Sequence, residues 1–77
     1  MVLTNFIGKL LPMIEKSTNR RFRGTLAFDE NAGGTPRFVL RNLHRESESG
    51  TLFPMGTGFP LIPGEYVFDE KTETVLI

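Results

Sequence analysis

The side chains best suited to binding chemistry in this sequence are arginines that alternate along one segment. Arg21 and Arg23 stand two residues apart in a stretch of period-two alternation, so a β-strand places both on one face. Arg41 lies in a second alternating stretch downstream. Guanidinium groups in such a row contact phosphate oxygens, which positions a nucleic acid without reading its sequence. Alternatively, the three arginines form a solvated strand face or pair with acidic residues of a neighbouring subunit.

Catalytic chemistry finds little support in the residue types present. His44 is the one histidine, and therefore the one conventional side chain that exchanges a proton near neutral pH. Ser47 and Ser49 lie in a polar, acidic stretch without a base close in sequence. The chain has no cysteine, so a disulfide and a thiolate metal site are both excluded. We expect no enzyme activity, no metal and no cofactor.

The length of 77 residues bounds the fold to one small domain, residues 1–77. A single core of this size supplies only roughly 3–5 kcal/mol, so small chains usually need additional stabilisation. Without cysteines, oligomerisation is the remaining source of it. No apolar run approaches the roughly 18 residues of a membrane span, and the amino terminus lacks signal-peptide features. We expect a cytoplasmic protein with no membrane partner.

The nine basic and nine acidic residues are unevenly distributed along the chain. Residues 1–45 carry eight basic and three acidic residues, whereas residues 46–77 carry one basic and six acidic residues, which gives +5 followed by −5. Such a division is typical of an anion-binding patch followed by a repelling tail. Two alternatives are that the charges solvate opposite surfaces of one domain, and that identical subunits associate head to tail.

Periodicity divides the chain into one short helix and five strands. Apolar residues recur at three- and four-residue spacing over residues 2–11, which predicts a helix ending before Pro12. Alternation and turn residues predict strands over 13–18, 21–29, 37–45, 65–69 and 74–77. This order is typical of a small all-β barrel, here with a helix in front and the barrel over residues 13–77.

The second predicted strand carries its apolar residues on one face. Phe22, Gly24, Leu26 and Phe28 share that face, so we expect Phe28 to lie in the core and not to serve as a stacking platform. Glycine in the middle of a strand often marks a sharp bend or a close approach of two backbones. The sequence therefore predicts one of these two features at Gly24.

Residues 46–64 are predicted to form an irregular insertion in the barrel. Residues 46–51 are polar, whereas residues 52–64 combine three prolines and three glycines with six apolar residues. A solvated loop would not carry so many apolar side chains, so we expect them to cover the barrel edge or to pack against a neighbouring subunit. Binding of a small ligand is the alternative.

The final predicted strand, 74–77, is apolar and ends the chain. An apolar strand with one open edge aggregates unless that edge is paired, so we expect it to pair with the next subunit. The predicted subunit interface consists of Tyr66, Phe68, Val75, Leu76 and Ile77.

The second strand also carries a family resemblance. Residues 22–29, Phe-Arg-Gly-Thr-Leu-Ala-Phe-Asp, resemble the first Sm motif of the Sm/LSm/Hfq superfamily, with Gly24 in mid-strand, the apolar Leu26 two residues later and Asp29 at the strand end. Residues 38–43 resemble the third strand of that family. The resemblance implies an Sm-like fold over the whole chain, namely a short N-terminal helix and a strongly bent five-stranded barrel.

The chain departs from the family pattern at two places. The family's loop after the aspartate carries an aromatic residue or histidine close to an asparagine, whereas here Asn31 follows two residues after Asp29. The family's second motif, an apolar residue, a basic residue and a glycine, is replaced by Glu70-Lys71-Thr72 or, in another register, by Ile62-Pro63-Gly64. The first register is preferred because the final apolar stretch then becomes the fifth strand.

The resemblance implies a homo-oligomeric ring of five to seven subunits, with the fourth strand of one barrel paired to the fifth of the next. It also implies single-stranded RNA around or through the pore. Asn31 would bind a base edge, Lys71 would contact phosphate, and Asp29 would order the loop. The alternatives are that Asn31 is a turn residue and Lys71 a solvated hairpin tip. The predicted function is RNA binding by an Sm-like ring; the alternative is an Sm-fold scaffold or adaptor that binds no nucleic acid.

Overall fold

The computed structural model describes residues 2–31 and 34–77 of the chain. It begins with a 3-10 helix, Val2–Phe6, and continues in strands. In chain order these are β1 Leu10–Glu15, β2 Arg20–Asp29, β3 Arg37–Glu46, β4 Leu52–Pro54, β5 Phe59–Pro60, β6 Val67–Asp69 and β7 Thr74–Leu76. No helix in the described ranges is long and apolar enough to cross a membrane.

The strands form one mixed sheet in the order β4-β3-β2-β1-β7-β6, with β5 also paired to β3. Strands β1 and β7 run parallel, and the other pairs are antiparallel. A mostly β fold with a short N-terminal helical turn, as predicted, is therefore confirmed.

The predicted helix over 2–11 is wrong in extent, because the backbone after Phe6 already pairs with β2. The Gly8 N–H donates to the Leu26 carbonyl at 2.8 Å, and the Leu26 N–H donates to the Lys9 carbonyl at 3.0 Å. Gly8 has φ 91°, a backbone conformation that glycine adopts without strain and that ends the helical turn. The first strand consequently begins at Leu10 and ends at Glu15, so the predicted span 13–18 is also wrong.

One side of the sheet carries the core. Its buried side chains are mostly leucines and lie on the 3-10 helix, on four strands and just after β5. They are Leu3, Leu11, Met13, Leu26, Leu40, Leu43, Leu61 and Val75. Phe28 is not among them: it is 46% exposed and packs edge-to-face on Phe38, with ring centroids 5.3 Å apart. The prediction that Phe28 lies in the core is wrong, because β2 extends beyond the core at this end.

The backbones of β2 and β3 approach closely at Gly24. The register between them shifts between Arg23 and Thr25, and Asn42 on β3 adopts a left-handed φ of 54°. A Cβ atom on Gly24 would lie 2.8 Å from the Leu40 Cβ and 3.2 Å from the Arg41 carbonyl oxygen. A β-bulge therefore faces Gly24, and the close approach predicted there is confirmed.

The segment 52–64 follows the outer edge of β3 as two short strands, so it is less irregular than predicted. Strand β4 pairs with the end of β3, and β5 pairs with Val39 and Leu40. Leu61 is buried in the core. In contrast, Leu52, Phe53 and Met55 are each about half exposed. The backbone covers the edge, while these three side chains remain at the surface.

The last strand is internal to the sheet. Strand β7 pairs with β1 on one side and with β6 on the other, and the Val75 side chain is fully buried. The expected open edge on the last strand is therefore wrong. The free edges of the sheet belong to the segment that contains β4 and β5, and to β6. Strand β6 is also shorter than the predicted 65–69.

Candidate functional site

Two similar turns follow strand-terminal aspartates. Asp29 ends β2, and its Oδ1 accepts a hydrogen bond from the Asn31 N–H at 2.8 Å. Asp69 ends β6, and its Oδ1 accepts one from the Lys71 N–H at 3.0 Å. Each aspartate thus forms an Asx turn that fixes the backbone of the residue two positions later.

The two turns leave the same end of the sheet. Strand β1 is antiparallel to β2 and parallel to β7, so the end of β2 and the start of β7 point toward the same end of the sheet as the start of β1. The turns are not level: Asp29 lies beyond Thr25, the partner of Leu10, whereas Asp69 pairs with Thr74 beside the middle of β1. They are therefore offset by roughly 20 Å along the strands in addition to the strand spacings between them. The exposed side chains of Asn31 and Lys71 make no hydrogen bond or ion pair with any described residue, so both face solvent unengaged. The loop after Asn31 includes Ala32 and Gly33, which lie outside the described residues.

Arg37 adds a further donor to this end of the sheet. It lies opposite Asp29 in the β2–β3 register, and its Nε is buried without a hydrogen-bond partner in the described part of the chain. A buried donor without a partner is costly, and an acceptor from a ligand would remove that cost. Arg37 was not predicted from the sequence, since its placement depends on the hairpin register.

Two of the three predicted basic-face arginines are in ion pairs. Arg23 Nε lies 3.0 Å from Glu46 Oε1, and Arg41 Nη2 lies 3.6 Å from Asp29 Oδ2. Both arginine side chains are about half exposed, and pairs of this kind contribute only about 0–1 kcal/mol. The pairs therefore offset part of the positive charge without preventing contact with an anion.

Arg21 lies on the same strand face as Arg23 but also lines a cleft at the opposite end of the sheet from Asn31 and Lys71. The cleft has a volume of about 610 Å³, and Arg20 and Arg45 line it as well. Arg20 and Arg45 were not predicted as site residues from the sequence. The antiparallel hairpin was the available signal, since it places the start of β2 beside the end of β3, with Phe22 opposite Arg45.

The predicted subunit-interface residues lie largely inside their own chain. Val75 is buried, and the ring of Phe68 packs edge-to-face on Phe6 with centroids 5.1 Å apart. The Ile77 N–H donates to the Ile14 carbonyl at 3.0 Å. Tyr66 and Leu76 are half-buried. The larger exposed apolar surface is on the β4 edge, which the sequence analysis assigned to an insertion.

His44 is half-buried on β3, and its Nδ1 lies 2.8 Å from the Asn42 carbonyl oxygen. Within residues 2–31 and 34–77, no three histidine, aspartate or glutamate side chains gather as a candidate metal site. The arrangement at the surface is thus one of hydrogen-bond donors and cations at two ends of a sheet. A comparison with known protein families, with curated proteins and with solved structures finds no match to this chain.

Proposed function

We propose that this chain is an Sm-like protein that assembles into a homo-oligomeric ring of five to seven subunits and binds single-stranded RNA. The observation that carries the RNA proposal is the pair of Asx turns that hold Asn31 and Lys71 at one end of the sheet. Both side chains are exposed and unengaged, and both backbones are fixed before any ligand arrives. Fixing a binding loop in advance lowers the entropy that binding must overcome.

The two side chains have complementary chemistry toward RNA. The Asn31 amide has a carbonyl acceptor and two N–H donors, the groups that recognise the polar edge of a base. The Lys71 ammonium is a donor-only cation and suits a phosphate oxygen. A base and a phosphate of one single strand are therefore the ligand that this end of the sheet fits best.

The proposed Sm-like bend is supported by the β2–β3 contact. Gly24 permits the close approach, and the bulge at Asn42 increases local twist and bends its strand. Strands β6 and β7 correspond to the predicted fourth and fifth strands, and the added β4 and β5 lengthen the edge beside β3. In this proposal the bent hairpin of β2 and β3 forms the centre of the barrel wall.

The proposed assembly is supported by the apolar edge. Leu52 and Phe53 of β4, and Met55 just after it, are large apolar side chains, and each is about half exposed. An edge strand with such side chains pairs readily with another chain. The same surface favours the second candidate function, a scaffold of identical subunits that binds no nucleic acid.

A salt titration of binding to labelled oligo(U) and oligo(A) tests the RNA proposal. Binding should weaken linearly on a log–log scale with salt, with a slope of about −0.7 for each phosphate contacted on a single strand. Asn31→Ala and Lys71→Gln should both weaken binding. Lys16→Gln is the matched control, since Lys16 is exposed beyond β1 at the other end of the sheet. Absence of salt-dependent binding at low ionic strength would leave the scaffold as the function.

A further inference from the structure

We infer that the cleft at the start of β2 is a binding site for a phosphomonoester of nucleotide size. This site lies at the opposite end of the sheet from Asn31 and Lys71, so it is independent of the proposed RNA contacts. Arg20, Arg21 and Arg45 line it. Its volume of about 610 Å³ is within the range of roughly 300–1,000 Å³ typical of small-molecule sites.

Two turns form the walls of the cleft. One is the β1–β2 turn, where the Thr18 hydroxyl donates to the Glu15 carboxylate. The other is the β3–β4 turn, where the Thr51 N–H donates to Ser47 Oγ at 3.1 Å and the Ser47 N–H donates to the Thr51 carbonyl at 2.8 Å. Ser47 Oγ also lies 2.9 Å from Ser49 Oγ. The walls are thus held by their own hydrogen bonds, which leaves the arginines to act on a ligand.

The charge in the cleft is positive. Arg20, Arg21 and Arg45 form no ion pair with any residue of the described ranges 2–31 and 34–77. Two carboxylates also line the cleft, Glu46 and Glu48. The Glu46 carboxylate is bound by Arg23 at 3.0 Å, so its charge is offset by a cation that does not line the cleft. Three arginines therefore outnumber the two carboxylates that form no ion pair with a described residue, that of Glu48 in the lining and that of Glu15 in the β1–β2 wall.

A phosphomonoester is the anion that this arrangement fits. Each guanidinium offers five N–H donors in a planar fork that matches the oxygens of a phosphate. A terminal phosphate carries up to two negative charges and three strong acceptor oxygens, which three arginines can share. The remaining space beside the arginines accommodates the body of the ligand.

A titration followed by two-dimensional ¹⁵N–¹H NMR tests the inference, with adenosine 5′-monophosphate, inorganic phosphate and adenosine as probes. Adenosine 5′-monophosphate should shift the backbone amides of Arg20, Arg21 and Arg45 in a saturable way, whereas adenosine should not. Saturable binding of inorganic phosphate at the same amides, as tight as that of the nucleotide, would overturn a ligand of nucleotide size, because the phosphate group alone would then account for the affinity. Shifts from adenosine equal to those from the nucleotide would overturn the inference.

Variants separate the cleft from general electrostatics. Arg45→Gln and Arg21→Gln should each weaken nucleotide binding at least tenfold, and Arg45→Lys should restore only part of the loss because the fork geometry is gone. Lys9→Gln removes the same charge at the other end of the sheet, where Lys9 is exposed just before β1, and should leave nucleotide binding unchanged. An equal loss in Lys9→Gln, or full affinity in both arginine-to-glutamine variants, would contradict the site. Neither result affects the RNA test, which substitutes Asn31, Lys71 and Lys16.

Discussion

The substitution Gly24→Ala tests whether the close contact of β2 and β3 shapes the sheet. The added Cβ would lie 2.8 Å from the Leu40 Cβ, about 0.6 Å inside the 3.4 Å at which ordinary contact begins. Neither neighbouring atom can turn away, because the Leu40 Cβ is fixed to its backbone and the Arg41 oxygen, at 3.2 Å, is itself backbone. The two strands must therefore separate locally, which strains the packing around the buried Leu40.

Overpacking of this kind costs about 1–3 kcal/mol. For a domain of this size, each kcal/mol lowers the melting temperature by about 4–8 °C, so we expect a decrease of about 4–24 °C. Circular dichroism at one fixed subunit concentration measures it, since assembly makes the melting temperature depend on concentration.

Gly58→Ala is the matched control for this experiment. Its Cβ would lie 3.4 Å from the Leu40 carbonyl oxygen, an ordinary contact with the same residue, so its melting temperature should change little. Equal melting temperatures for Gly24→Ala and Gly58→Ala would refute the account of the β2–β3 contact.

Three further substitutions test the internal strand, the apolar edge and the RNA contact. Val75→Asp should abolish folding, and not merely dissociate subunits, because it buries an unpaired carboxylate in the core. A native far-ultraviolet circular dichroism spectrum of this variant would contradict the internal position of β7. Phe53→Asp should keep the spectrum of the folded chain and lower the particle mass in light scattering, since this half-exposed side chain lies on the β4 edge; an unchanged mass would place the interface elsewhere. Lys71→Gln should reduce the salt slope of oligo(U) binding by about 0.7 relative to Lys16→Gln; equal slopes would exclude Lys71 from the phosphate contacts.

Local patterns predicted the central hairpin well. Strands β2 and β3 differ from their predicted spans by one residue at one end each, because period-two alternation and the turn between them are local features. The close approach at Gly24 was also predictable, since a glycine in the middle of a strand often marks a sharp bend or a close approach of two backbones.

Features that depend on non-local pairing were not predictable. Strand β7 is internal because it lies parallel to β1, a pairing between distant parts of the chain that alternation does not encode. The prolines and glycines in 52–64 indicated irregular structure, yet the two short strands β4 and β5 within this segment pair with the outer edge of β3. The helix ended early for a similar reason, since residues 8 and 9 bond to β2.

The residues of the candidate sites were likewise predictable where the pattern is local, and not where it depends on strand pairing. Alternation placed Arg21 and Arg23 on one face, and the position of Asp29 indicated an ordered loop. Recognition of Arg45 as a neighbour of Arg21 required the register of the hairpin. The ion pair of Arg23 with Glu46 likewise depends on that register, because the two residues are 23 positions apart.

Native mass spectrometry with and without oligo(U) tests the central proposal most directly, since one spectrum reports both assembly and RNA binding. At micromolar subunit concentration the protein alone should appear as a single species of five to seven subunits. On addition of oligo(U), that species should gain the mass of bound RNA, and less so in Lys71→Gln. A monodisperse monomer whose mass is unchanged by oligo(U) would contradict the proposal.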